Sequence, residues 1–114
     1  SSAAPGIHVI GDSSATGQPK AGHIANQEAK VCAQAIADLL AGRALDQEPM
    51  TNSACYSTIT MSTASWLTAV FAYDPATASM KLVPSSSGEA DRVSKDNFED
   101  MSKWFKSLMA DTFA

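Results

Sequence analysis

Ile7-His8-Val9-Ile10-Gly11-Asp12, followed after a small-polar loop at 13–18 by Pro19-Lys20-Ala21-Gly22-His23-Ile24, decides how the first part of the chain folds. The β-branched run at 7–10 stops at Gly-Asp, the pattern of a buried strand ending in a turn. Pro19 suits the first turn of a helix, because its missing N–H would be unpaired there anyway. Val31, Ala35 and Leu39 recur at i, i+4; Cys32, Ile36 and Leu40 form the adjacent row, and Ile24 extends the face. This periodicity predicts an amphipathic helix of about six turns, with Gly42 as its C-terminal cap. Strand, glycine turn and helix in that order are the local grammar of an α/β nucleotide-binding fold.

The pattern changes after a polar connection at 43–53 that contains Pro49. Residues 55–60 and 66–73 are rich in β-branched and aromatic side chains, Asp74-Pro75 signals a turn, and 80–83 reads as a third short strand. Residues 84–88 form a Ser-rich loop. A last helix is predicted from about Asn97, capped by Asp96 with Glu99 completing a capping box. Phe98, Met101, Phe105, Leu108 and Met109 form its apolar face. The expected class is α+β: a strand and helix in residues 1–48, then a small antiparallel sheet with a C-terminal helix in 49–114. Residues 1–6 are small and read as a linker.

Composition narrows the function. The 114 residues are 45% hydrophobic and 18% charged, enough for a folded domain with a modest core. A net charge of -4 argues against nucleic-acid binding, which needs basic patches to displace phosphate counterions. No apolar run approaches the roughly 20 residues of a membrane span. No signal-peptide pattern is present and the chain does not begin with Met, so the compartment is not legible from this terminus. The two cysteines, Cys32 and Cys55, have no CxxC and no second Cys/His pair, which speaks against zinc. Whether they pair with each other is a question of geometry.

Several residues carry candidate chemistry. Asp12 at the C-terminal end of a strand stands where open α/β sheets bind ligands, and a carboxylate there accepts hydrogen bonds from sugar or ribitol hydroxyls; it equally serves as an ordinary turn residue. A helix opening at Pro19-Lys20-Ala21-Gly22 points unpaired N–H groups and the positive end of its dipole outward, which stabilises an anion or a ring gaining charge on reduction. Small residues at Ala21, Gly22 and Ala25 let a flat ring approach the backbone; the plain alternative is a solvated lysine on a first turn. Cys55, at a strand start after polar residues, is either an accessible thiol or a small buried hydrophobe. Cys32 lies on the apolar helix face and reads as structural. Trp104 falls about 120° from Phe98 on the helical wheel, at the edge of the stripe, where it can meet a second surface. His8 and His23 read as satisfied structural residues, and Trp66 and Phe71 as sheet packing.

The stretches 7–14 and 19–31, with Asn52-Ser53-Ala54-Cys55-Tyr56-Ser57, Trp104-Phe105 and Asp111-Thr112-Phe113, resemble the flavoprotein subunit of flavocytochrome c sulfide dehydrogenase. The resemblance covers nearly the whole chain, in four motifs in order, and implies its C-terminal part. It implies that Gly11 and Asp12 lie at the FAD ribityl chain, that the helix start at Lys20 and Ala21 faces the flavin's pyrimidine side, and that Trp104 lies near the flavin. It implies that Cys55 belongs to a redox-active disulfide whose partner is in the N-terminal half. A c-type cytochrome as electron acceptor, the N-terminal FAD-binding part of the same protein as partner, and a periplasmic location are implied likewise. No GxGxxG occurs here, so the pyrophosphate of FAD has no fingerprint in this chain. Two other possibilities stand beside it: a non-catalytic interaction or dimerisation module, and a fragment of a related flavin disulfide oxidoreductase such as a quinone-linked one. The charges on the last helix suit a soluble protein better than a membrane-associating one.

Overall fold

The computed structural model describes residues 4–113; the part of the predicted linker at 1–3, and Ala114, lie outside the described residues. Helix α1 spans Gly22–Leu40, strands β1 to β4 span Met50–Thr60, Thr63–Asp74, Ser79–Leu82 and Gly88–Glu89, and helix α2 spans Lys95–Phe113. The α+β class expected from sequence is what the chain adopts.

Strand β2 is the spine of the sheet. One edge pairs antiparallel with β1 along almost its full length, from Met50 opposite Ala72 to Thr60 opposite Thr63. Its other edge is shared by two short strands: β3 covers Phe71 to Asp74 and β4 covers Leu67 and Thr68. Between them Ser86 completes the ladder with its side chain. Its hydroxyl accepts from the Val70 N–H at 3.0 Å and donates to the Val70 carbonyl at 3.2 Å. Sequence reading found only a Ser-rich loop here, because Gly88-Glu89 carries none of the β-branched or aromatic residues that mark a strand. Gly88 has a local reason: a Cβ on it would sit 3.1 Å from Thr68 Oγ1.

The line along β2 ends at Ala64, which is fully buried and exchanges both backbone hydrogen bonds with Ser94, at 3.0 and 3.1 Å. Ser94 also caps α2, its hydroxyl accepting from the Asn97 N–H at 3.0 Å. The cap expected at Asp96 is therefore two residues late; Ser94 wins because the bridge to Ala64 fixes its backbone. Asn97 seals the junction by donating to the Ala64 and Arg92 carbonyls at 3.1 and 2.8 Å.

Helix α1 also departs from expectation at its start. Pro19 and Lys20 precede it, and extended Ala21 is its N-cap; Lys20 instead donates its Nζ to the Ser14 carbonyl. At the other end the predicted glycine cap is present. Gly42 takes φ +67°, its N–H donates to the Leu39 carbonyl at 3.2 Å, and Arg43 N–H reaches the Asp38 carbonyl at 2.8 Å, a Schellman arrangement. The Arg43 guanidinium returns to the Asp38 carboxylate at 2.7 Å. Hydrogen bonds from Gln34, then Arg43, hold that carboxyl below its ordinary pKa.

Residues 7–10 are not a paired strand. Ile10 has extended dihedrals, but among the described residues the stretch joins no ladder, and Ile7 and Ile10 are exposed. Backbone groups here are spent on local turns, the Ile7 N–H on the Ala4 carbonyl and the Ile10 carbonyl on the Ser13 hydroxyl, and not on a ladder. The predicted stripe on α1 is likewise only half covered: Ile24 is buried, whereas Ile36, Leu39 and Leu40 are exposed. On α2 Phe105 faces solvent. Cα atoms have a radius of gyration of 16.1 Å, against about 13 Å for a compact domain of this length, so the elements are spread rather than wrapped around one core.

Replacing Ser86 with alanine leaves the Val70 N–H and carbonyl without the hydroxyl that joins β3 to β4. Ser86→Ala is expected to cost about 1–3 kcal/mol in urea unfolding; an unchanged midpoint would show that the bridge adds nothing to the sheet.

Candidate functional site

The residues around the start of α1 are organised by one side chain. Glu28, buried one turn beyond Ile24, turns its carboxylate to the loop that precedes the helix. Oε2 accepts from the Gly11 N–H at 2.5 Å, and Oε1 accepts from Thr16 Oγ1 at 2.9 Å. Ser14 Oγ lies 3.4 Å from Oε2 and donates to the Gly11 carbonyl at 2.7 Å. Gly11-Asp12-Ser13 forms a single tight turn with Gly11 at φ +68°, a conformation that a side chain would strain. A Cβ on Gly11 would lie 3.6 Å from the Ala25 Cβ. The Gly-Asp turn thus sits directly on the first turns of α1, while Asp12 itself is exposed.

The start of α1 is open. Ala21 gives no side-chain cap hydrogen bond, and the space beside Gly22 is empty to 4 Å. The first N–H groups of the helix are therefore available. Asp12, Gly11 and Ala21 are brought to one end of the molecule, and Lys20 lies along the same loop, its ammonium engaged by Ser14.

Trp104 joins this end to the sheet. Its ring is 5.8 Å from His23 in a T-shaped contact and 5.4 Å from Tyr56. His23 lies in the first turn of α1, and its Nδ1 accepts the Ala54 N–H of β1 at 2.9 Å. These elements, with β2 and the loop at Ser86, border an open cleft of about 350 Å³, lined among others by Gln27, Asn52, Thr68, Ser86 and Trp104. Trp104 is thus not at the margin of α2's packing face, as the helical wheel suggested; the helix turns Trp104 and Met101 toward the sheet, and Phe105 away.

Cys55 is placed differently. It follows Ala54 and precedes Tyr56 on β1, so its side chain leaves the sheet on the face opposite Tyr56 and Trp104. It stands across from Leu67, and both are exposed. Cys32 is half-buried on α1, and both thiols are free. The structure therefore groups Gly11, Asp12, Ala21 and, through His23, Trp104, and sets Cys55 on the other side of the strand. Among the described residues no cluster of His, Cys, Asp or Glu could hold a metal ion.

Sequence reasoning missed Glu28, Ser86 and the buried pair Gln18 and Thr51, whose side chains meet at 2.6 Å; His23 is the satisfied structural residue expected, its partner being the Ala54 N–H. Glu28 did leave a signal: it is the acidic residue at i+4 from Ile24 on an otherwise apolar face, and such a residue is buried only with partners.

A helix held to a Gly-Asp turn, next to an antiparallel sheet crossed by a second, aromatic-bearing helix, makes a two-helix α+β module. The family model for the flavin-binding region of flavocytochrome c sulphide dehydrogenase matches residues 47–113. That span takes in the whole sheet and α2, and the chain belongs to this family.

The two thiols differ in access. A maleimide probe on the folded chain is expected to modify Cys55 at least about tenfold faster than half-buried Cys32; equal rates, or faster labelling of Cys32, would contradict the placement.

Proposed function

We propose that this chain is the C-terminal, flavin-facing part of an FAD-dependent sulfide dehydrogenase that oxidises sulfide through a redox disulfide and passes electrons to a c-type cytochrome. Family membership carries this proposal, and the open start of α1 supports it. The residues fit a flavin on two observations: the first turn of α1 has no side-chain cap, with empty space beside Gly22, and the Asp12 carboxylate next to it is exposed. Asp12 would accept from ribityl hydroxyls. The N–H groups after Ala21 would stabilise negative charge on the ring, and Lys20 adds positive charge beside them. Trp104 would offer an aromatic face.

Exposed Cys55 would form a disulfide with a second cysteine elsewhere in the complete protein. Hydrosulfide attacks one sulfur of that disulfide; a new S–S bond forms, the old one breaks, and the departing thiolate carries the electron pair. Bound FAD would supply a two-electron acceptor able to release electrons singly to a haem partner. The remaining part of the same protein, bearing the glycine fingerprint, would hold the pyrophosphate. A periplasmic location accords with a c-type cytochrome partner and a stable disulfide.

The interaction-module alternative draws on a different observation. Leu67 is exposed opposite Cys55, and Ile59 and Met61 are exposed toward the end of the β1–β2 hairpin; exposed apolar groups mark surfaces that another layer can cover. No helix among the described residues is long and apolar enough to cross a bilayer.

In the complete protein, Cys55→Ser is expected to abolish reduction of the flavin by sulfide while leaving bound flavin at wild-type stoichiometry, because the cofactor is held by other residues. Sulfide-driven bleaching of the flavin in that variant would overturn the role of Cys55. The 114-residue chain alone is expected to purify with little flavin absorbance.

A further inference from the structure

We infer that His23 is a positioning residue, a latch that holds strand β1 beside Cys55 and the Trp104 ring in register with the start of α1, and that its protonation opens the latch. The inference rests on the flavin proposal only for what the latch serves; the geometry stands without it.

Strand β1 is an edge strand, and alternate N–H groups along it point away from β2. The Ala54 N–H is one of these. It donates to His23 Nδ1 at 2.9 Å, so α1 covers the strand edge one residue before Cys55. The same imidazole stands edge-on to Trp104, and Trp104 in turn contacts Tyr56, the residue after Cys55. One ring therefore touches the helix that would face the flavin, the helix that bears Trp104, and the strand that bears Cys55.

The bond requires an unprotonated Nδ1. A protonated imidazole has two N–H donors and no acceptor, and it would set a donor against the Ala54 N–H. Burial, then the nearby charge of Lys30 on the same helix, lowers the His23 pKa below its ordinary 6.5. From α2, Asp111 faces Lys30 and pairs with it at 2.8 Å. From β1, the titratable neighbour is Tyr56, across the Trp104 ring. Because the folded-state pKa is lowered, the unfolded chain takes up the proton first as pH falls. The stabilisation is complete above about 6.5 and is lost as pH falls through the lower folded value.

The test uses amide exchange at Ala54 and Trp104 fluorescence, the latter in a Trp66→Phe background, on the chain from pH 8 down to the lowest pH at which it stays folded. Protection of Ala54, corrected for intrinsic rates, is expected to fall about tenfold together with a change in Trp104 emission. His23→Gln keeps an acceptor oxygen and has no titration, so it should retain much of the protection and lose the pH step. His23→Leu should lack the protection at every pH. An Ala54 amide whose protection ignores pH in the wild type, or a pH step that persists in His23→Gln, overturns the latch. Neither measurement involves flavin, so failure of the latch and failure of the sulfide dehydrogenase proposal are read separately.

Discussion

The carboxylate of Glu28 is buried on the inward face of α1, where an acidic group would be costly without partners. It gains them from the loop that precedes its own helix: the Gly11 N–H, the Thr16 hydroxyl and the nearby Ser14 hydroxyl. That dependence runs both ways. The loop has little apolar content of its own, and the carboxylate fixes its course and places Gly11-Asp12 on the first turns of the helix. Thr16, so held, accepts the Met80 N–H at 2.8 Å and ties the loop to the outer edge of β3. Gln18, two residues on, reaches Thr51 on β1 at the opposite side of the sheet. A segment without regular structure thereby spans one end of the sheet and keeps it against α1.

The other end is secured by a different device. Ala64 and Ser94 exchange backbone bonds, Ser94 caps α2, and Asn97 donates back to Ala64. The start of α2 is thus fixed to the start of β2, and the helix lies across the sheet face that carries Tyr56 and Thr58. Far along the same helix, Asp111 pairs with Lys30 and accepts from Asn26 at 2.8 Å. These bonds hold Asp111 below the ordinary carboxylate range. Both helices are positioned by polar contacts at their ends, with few fully buried apolar side chains between them. That distribution leaves apolar surface on the outer turns of α1 and around Cys55.

Much of this architecture was legible in the chain. Periodicity and composition gave two helices, three of the four strands, the turn at Asp74 and the Gly42 cap, because each depends on local chemistry. The Asp74 carboxylate, for example, accepts from Thr77 and the Ala76 N–H at 2.9 Å, as a turn aspartate does. The residues that were missed act at a distance in sequence. Ser86 replaces a strand with a hydroxyl, and Ser94 caps a helix because a bridge thirty residues away holds it; His23 reads from sequence as a satisfied structural residue, but the edge N–H that satisfies it belongs to a distant element. Pro19 suggested too early a helix start because Lys20 is drawn back to Ser14. At the candidate site, the grouping of Asp12 with the start of α1 followed from the short loop between them. The separation of Cys55 from Trp104 did not, since it depends on which face of β1 each neighbour of Tyr56 takes.

The central claim is that the Glu28 carboxylate holds the Gly-Asp turn on the open end of α1. Hydrogen exchange at the Gly11 amide tests it directly. The account predicts a protected Gly11 amide in the wild-type chain, partial protection in Glu28→Gln, which keeps an acceptor oxygen, and exchange at the unprotected rate in Glu28→Ala, with the amides of α2 unchanged in all three. A Gly11 amide that exchanges freely in the wild type, or one that stays protected in Glu28→Ala, would contradict it.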